Sequence, residues 1–151
     1  MINDSEEFIA YLTHLRAEHR RLREFLREIE QHWTEHEVVR LSELESRVIR
    51  KLEGLRAELA HHFEEEESGG CLDEAVARQP SLGQAADRLE QEHPALLKQL
   101  GQLIAQLKAA SQAIQSLDDA KESFRRFSEQ LEAHESAENR ILEESFGIEV
   151  E

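Results

Sequence analysis

The spacing of its apolar residues is what most constrains the fold of this chain. In four long segments they recur at alternating steps of three and four residues, as at Leu12, Leu15, Leu22 and Leu26. This spacing places side chains along one face of an α-helix. It predicts four amphipathic helices, which run over about 4–37, 42–67, 82–115 and 119–145.

Mostly short turns join these segments, so the pattern predicts an all-α, up-down-up-down four-helix bundle. The 151 residues suffice for one domain with a real core, and we expect a single domain over 1–151. The longest connection is Cys71–Pro80, with a helical turn expected at 73–78. Pro94 cannot donate to the carbonyl of Glu90, which predicts a kink or break there, or a helix that restarts at Pro94.

Polar residues interrupt the apolar faces of all four predicted helices. Burying an unpaired carboxylate or imidazole is costly, so a set spread over four helices needs one explanation. At about 1.5 Å of rise per residue, each histidine lies about 24 to 34 Å from a turn that ends its helix. An up-down-up-down bundle would therefore bring them to one level. The six residues are His19, His62, Glu66, His93, His134 and Glu138.

Four imidazoles and two carboxylates that meet in a core predict a metal site, because a cation offsets their desolvation. The spacing of four in His62–Glu66 and His134–Glu138 puts each pair on one helix face. Six ligands are more than a tetrahedral zinc site uses, and they suit two metal ions that share the glutamates. Nitrogen and oxygen ligands together fit iron, manganese or zinc.

The neighbouring polar residues are predicted to have ordinary surface or packing roles. His14 and His61 lie off the apolar faces and are expected to be solvated. Glu65 and Glu67 are interpreted as surface charges rather than hydrogen-bond partners of ligating histidines. Tyr11 is expected to pack without a role at the site.

The order of these residues resembles the hemerythrin-like family, also called HHE cation-binding domains. One element falls on each helix: His, then His-x-x-x-Glu, then His, then His-x-x-x-Glu. The likeness spans about 5–142. It is carried by Glu18-His19-Arg20, His62-Phe63-Glu64-Glu65-Glu66-Glu67, Gln91-Glu92-His93 and His134-Glu135-Ser136-Ala137-Glu138.

The resemblance implies a non-haem di-iron centre, bridged by the two glutamates and an oxo or hydroxo group. It gives His19 and His62 to one iron and the other two histidines to the second. Oxygen-carrying members have a further histidine where this chain has Leu97, and usually an aspartate five residues after the last histidine, where this chain has Glu138 at four. At least one iron is then expected to be open to water, peroxide or oxygen.

These departures put oxygen carriage in doubt and leave several functions open. The first is binding or sensing of oxygen, peroxide, nitric oxide or iron, and peroxide decomposition is a possible enzymatic activity. Iron storage or buffering is the second, and a structural bundle with zinc or no metal is the third. Ferritin-like oxidases rank low, because they use Glu-x-x-His with the carboxylate first.

Charge and targeting signals limit the partners and the compartment. The net charge of −15 argues against nucleic acid and anionic membranes as partners. The lone Cys71 excludes an internal disulfide and fits a reducing compartment. No signal peptide and no apolar stretch of about 18 residues is present, so a cytoplasmic location is expected. Without an effector domain, a sensor would pass its output to another protein.

Overall fold

The computed structural model describes residues 6–34, 41–68, 70–109 and 114–147. Within these ranges the chain is helical and has no strand, which confirms the predicted all-α class. Four helices are long and one is short. They are α1 (Glu6–Thr34), α2 (Leu41–Glu67), α3 (Cys71–Arg78), α4 (Gly83–Ala109) and α5 (Ile114–Phe146), and a 3-10 turn at Pro80–Leu82 precedes α4.

The start of the last helix differs from the prediction. Ile114, expected near the end of the third helix, is the first residue of α5, and the turn expected at 116–119 lies inside that helix. Ser and Asp favour both the cap and the opening turns of a helix, so their positions locate its start only loosely. The expected helical turn at 73–78 is the full helix α3. The predicted ends at 4–5 and 35–37 lie outside the described residues.

Pro94 does not interrupt its helix. Because α4 is continuous from Gly83 to Ala109, the prediction of a break or a restart at this proline is wrong. Both Pro94 and Glu90, one turn earlier, are exposed. The carbonyl left without an amide donor lies on the solvent side, where water can hydrogen-bond to it.

The long helices pack in sequence order, α1 on α2, α2 on α4 and α4 on α5, with α5 also touching α1. Between α1 and α2, for example, the later Glu28 contacts the earlier Lys51, whereas the earlier Glu18 contacts the later His62. The four long helices together form a helical bundle. The contacts are Glu18–His62, Glu28–Lys51, Glu67–His93, Glu53–Lys108, Glu92–His134 and Gln106–Ser123.

Two apolar clusters fill the bundle. The larger one occupies the half near the α1–α2 connection and includes Trp33 and Phe124, whose ring centroids are 5.1 Å apart. The smaller one occupies the other half and includes Leu15 and Leu89. Between them lies a layer of polar side chains. None of the described helices has an apolar window long enough to cross a membrane.

Candidate metal centre

The polar layer consists of the residues that the sequence singles out. On α1, His19 lies between Leu15 of the smaller cluster and Leu22 of the larger one. On α4, His93 lies between Leu89 and Leu96 in the same way. Each of the six side chains exposes 6% of its surface or less, and they come from all four long helices: His19, His62, Glu66, His93, His134 and Glu138.

The six side chains form two groups of three. Ligand atoms of His19, His62 and Glu138 all lie within 4.8 Å of one another. The same holds for Glu66, His93 and His134. Metal–ligand bonds to imidazole and carboxylate are about 2.0–2.2 Å, so each group has the span of ligands around a single cation.

The two glutamates lie between these groups. Glu138 Oε1 is 3.7 Å from His19 Nε2, and its Oε2 is 4.0 Å from His134 Nε2 in the other group. Glu66 belongs to the second group, and its Oε1 lies 2.8 Å from Nε2 of His62 in the first group. A pair of cations could share both carboxylates in this arrangement.

Several of these polar atoms point into the layer without a hydrogen bond. A buried polar atom without a partner costs about 1–3 kcal/mol. Here the atoms concerned are the ones that would bind a metal, so the donor set fits cations in this layer. Those without a partner in the described part of the chain are Nε2 of His19, His93 and His134, while the Glu66 and Glu138 carboxyl groups lie against each other. The close approach of His62 to Glu66 lacks hydrogen-bond geometry.

Burial favours the neutral form of three core imidazoles, those of His19, His93 and His134. It lowers the pKa of His19 to about 3, with His62 adding to the effect. It lowers the pKa of His93 to about 4, against the opposing effect of Glu67. The pKa of His134 is lowered for the same reason. A neutral imidazole keeps a nitrogen lone pair free for a metal ion.

Burial has the opposite effect on the core carboxyl groups. It raises the pKa of Glu66 to about 7. It raises the pKa of Glu138 well above its usual value, and the neighbouring Glu66 adds to that shift. The pKa of Glu135, which is also buried, is raised to about 7 by burial and then by Glu138. These groups would hold protons in the absence of a cation, and cation binding would release them.

Carboxylates outside the layer hydrogen-bond to the other ring nitrogen of two predicted ligands. Nδ1 of His62 lies 2.6 Å from Glu18 Oε2, and Nδ1 of His134 lies 2.8 Å from Glu92 Oε1. A carboxylate only accepts, so Nδ1 donates and the Nε2 lone pair points into the layer. Neither glutamate was predicted. Both directly precede a predicted ligand, about 100° around the helix from it and towards the next helix, which is the signal that could have revealed them.

Glu67 has a similar role. Its Oε1 lies 3.2 Å from Nδ1 of His93, so the prediction that Glu67 is only a surface charge is wrong. Glu65 instead contacts the exposed His14 and His61, as a surface residue would. These two histidines are 56% and 67% exposed, which confirms that they are solvated.

Two aromatic residues near the layer have packing roles. Phe63 stacks on the His93 ring at a centroid distance of 3.9 Å and 7° between the planes, and its edge faces His134. Sequence reasoning missed this contact, which limits the rotation of the imidazole. Tyr11 packs against the smaller cluster and lies close to Gly70. That it has no role at the site stays a prediction.

Among the residues that the structure describes, two cavities border the layer. One of about 250 Å³ opens between α4 and α5 and ends at His134, with Ala95 and Ala133 in its wall. The other, of about 150 Å³, lies between α2, α3 and α4 and reaches Glu66 and His93. The acidic side chains that line the second cavity are Glu67, Asp73, Asp87 and Glu90.

No family model, curated protein or solved structure matches this chain.

Proposed function

We propose that this chain is a hemerythrin-like, non-haem di-iron protein with an up-down-up-down bundle. It binds or senses a small oxygen or nitrogen species, such as oxygen, peroxide or nitric oxide, or responds to iron itself. The observation that carries the proposal is the buried layer of four imidazoles and two carboxylates, in which the Nε2 atoms of His19, His93 and His134 lack hydrogen-bond partners in the described chain. Iron bound there would supply redox chemistry and open coordination positions.

The residues of the layer have separate tasks in this proposal. His19, His93 and His134 present neutral Nε2 atoms, which burial keeps unprotonated. Glu66 and Glu138 lie between the two groups and would balance the charge of two cations. Glu18, Glu67 and Glu92 hold the imidazoles by their other nitrogen. The apolar clusters on both sides restrict access of water.

Leu97 occupies the position at which oxygen-carrying members of the family have a fifth histidine. This difference supports open coordination positions on the metal ions. Leu97 packs against the larger apolar cluster and has no atom that binds a metal. Six protein ligands shared between two metal ions leave positions for an exogenous molecule. The cavity that ends at His134 gives such a molecule a route. Ligand binding, sensing and peroxide decomposition all remain compatible with this geometry.

Metal analysis of protein purified without chelator tests the proposal. We expect about two irons per chain, because there are two groups of three ligands. We also expect near-ultraviolet charge-transfer bands that change with azide or peroxide. His93→Ala should lose the iron and the bands, whereas His32→Ala, at the far end of α1, should keep both. Metal-free protein that stays fully folded and takes up no iron would refute the proposal.

Iron storage or buffering is the second candidate, favoured by the acidic cavity that reaches Glu66 and His93. Reversible uptake and release of iron without peroxide turnover would support it over sensing or catalysis. A structural bundle with zinc is distinguished by the same metal analysis, since it would retain zinc and show no bands. The expected cytoplasmic location and protein partner stay predictions.

A further inference from the structure

A second group of histidines and glutamates lies on the surface of the α1–α2 pair, outside the buried layer. We propose that His14, Glu18, His61 and Glu65 form a separate binding site for a divalent transition-metal cation such as Zn²⁺. The site goes beyond the proposed function and does not require iron in the core. Its side chains lie on the facing sides of the two long helices α1 and α2.

Distances between the ligand atoms support this site. His14 Nε2 contacts Glu18 Oε1 and lies 2.7 Å from Glu65 Oε2. His61 Nε2 lies 2.7 Å from the other oxygen, Glu65 Oε1. Ligand atoms of His14, Glu18 and Glu65 are all within 4.8 Å of one another. Small side-chain rotations would place these three around one ion with bonds of about 2.0–2.2 Å. His61 lies outside this group of three, on the other oxygen of Glu65, and would have to rotate to add a fourth ligand.

The spacing of the residues repeats that of the buried pairs. His14–Glu18 and His61–Glu65 are each four residues apart, so the imidazole and carboxylate stand one turn apart on one helix face. Each helix thus contributes one nitrogen and one oxygen ligand. Two imidazoles and two carboxylates suit zinc or another divalent ion of the first transition series.

The charges in the group favour a cation. Glu18 and Glu65 both approach the single Nε2 atom of His14, which has at most one proton to donate. A metal ion at this point would bind both oxygens and the imidazole nitrogen at once.

The site is reachable without opening the bundle. The side chains of His14, His61 and Glu65 are 56%, 67% and 38% exposed. Glu18 is more buried, because its second oxygen accepts the hydrogen bond from His62 Nδ1. Glu18 is therefore shared with the buried layer, and a test of the surface site has to leave it intact.

The test is a Zn²⁺ titration of the full chain by calorimetry and equilibrium dialysis. We expect wild type to bind about one more Zn²⁺ per chain than His14→Ala/His61→Ala, because the double variant lacks both imidazoles of this site. His93→Ala, which alters the buried layer, should keep this binding, so failure of the proposed core site and failure of this one give different results.

Matched controls are available on the same helices. His32→Ala removes a histidine 18 positions further along α1, about 27 Å away by helix rise. Glu58→Gln removes an acidic residue whose partner, Arg21, lies 3.3 Å away on the neighbouring helix. Neither should change the stoichiometry. If the double variant binds as much Zn²⁺ as wild type with the same affinity, or if His32→Ala loses the binding equally, the proposal is wrong.

Discussion

Nδ1 of His134 on α5 donates a hydrogen bond of 2.8 Å to Glu92 Oε1 on α4, the residue next to His93. The same relation recurs from α1 to α2, where Glu18 binds His62, and from α2 to α4, where Glu67 binds His93. In each case the preceding long helix orients the imidazole of the next. The packing of the long helices against one another therefore also determines how the candidate ligands are oriented.

Removing the carboxylate at position 92 should weaken metal binding without removing a ligand. Glu92→Gln leaves His134 in place but replaces a charged acceptor with a neutral one. Loss of such an outer partner lowers metal affinity by about 10–100-fold. A competition titration with a chromogenic chelator measures this change. The control is Glu132→Gln, an exposed carboxylate on the same helix as His134, which should stay near wild-type affinity; equal losses in both would contradict the role of Glu92.

Replacing the buried acid at 138 should separate metal binding from folding. Burial raises the pKa of Glu138 well above its usual value in metal-free protein. This favours the protonated carboxyl group, which resembles glutamine in shape and charge. Glu138→Gln should therefore lose metal while the metal-free thermal midpoint is unchanged or higher. The difference in thermal midpoint in favour of the variant should grow as pH rises, because Glu138 then has to ionise in the core and Gln does not. A metal-free variant less stable than wild type at every pH would contradict this expectation.

The acid response should differ between metal-free and metal-loaded protein. His19 has a folded pKa of about 3 against 6.5, so its contribution to stability is lost as pH falls through that window. Glu66 has a folded pKa of about 7 against 4.5, so its contribution is lost as pH rises between those values. The two effects oppose each other between pH 4.5 and 6.5, and we expect the metal-free midpoint to be highest there.

Bound metal changes this pH dependence of stability, because both the histidine and the glutamate ligands have to be deprotonated to bind it. Metal-loaded protein should therefore lose stability steadily from neutral pH to pH 4.5, where metal-free protein does not. Differential scanning calorimetry of both forms over this range checks the prediction. Parallel curves would mean that the titrating groups of the core do not bind the metal.

Filling the cavity beside His134 should slow access to the core. Ala133 lies in the wall of the 250 Å³ cavity and is exposed, so Ala133→Phe can fill it without entering the apolar clusters. We expect unchanged metal content and slower development of the azide- or peroxide-induced bands in stopped-flow absorption. Ala105→Phe, at an exposed position further along α4, is the control. Unchanged rates in Ala133→Phe would mean that small molecules use another route.

Much of the architecture follows from local periodicity. A helix repeats every 3.6 residues, so the steps between apolar residues were enough to predict four long helices and to separate His62 from His61. The same reasoning identified six polar residues at core positions, and the structure buries each of them. It was wrong about a break or restart at Pro94 and about the start of α5, where local preference allows more than one outcome.

The sequence by itself determined which faces of the helices are buried and which polar residues are buried with them, because both depend on position along one helix. Only the tertiary structure decided that Glu18, Glu67 and Glu92 orient the imidazoles, that Phe63 stacks on His93, and that surface residues of α1 and α2 meet. These contacts join different helices, and their geometry depends on the rotation and height of one helix against another. A shift of one residue turns a helical side chain by about 100°, so spacing within a helix cannot specify them.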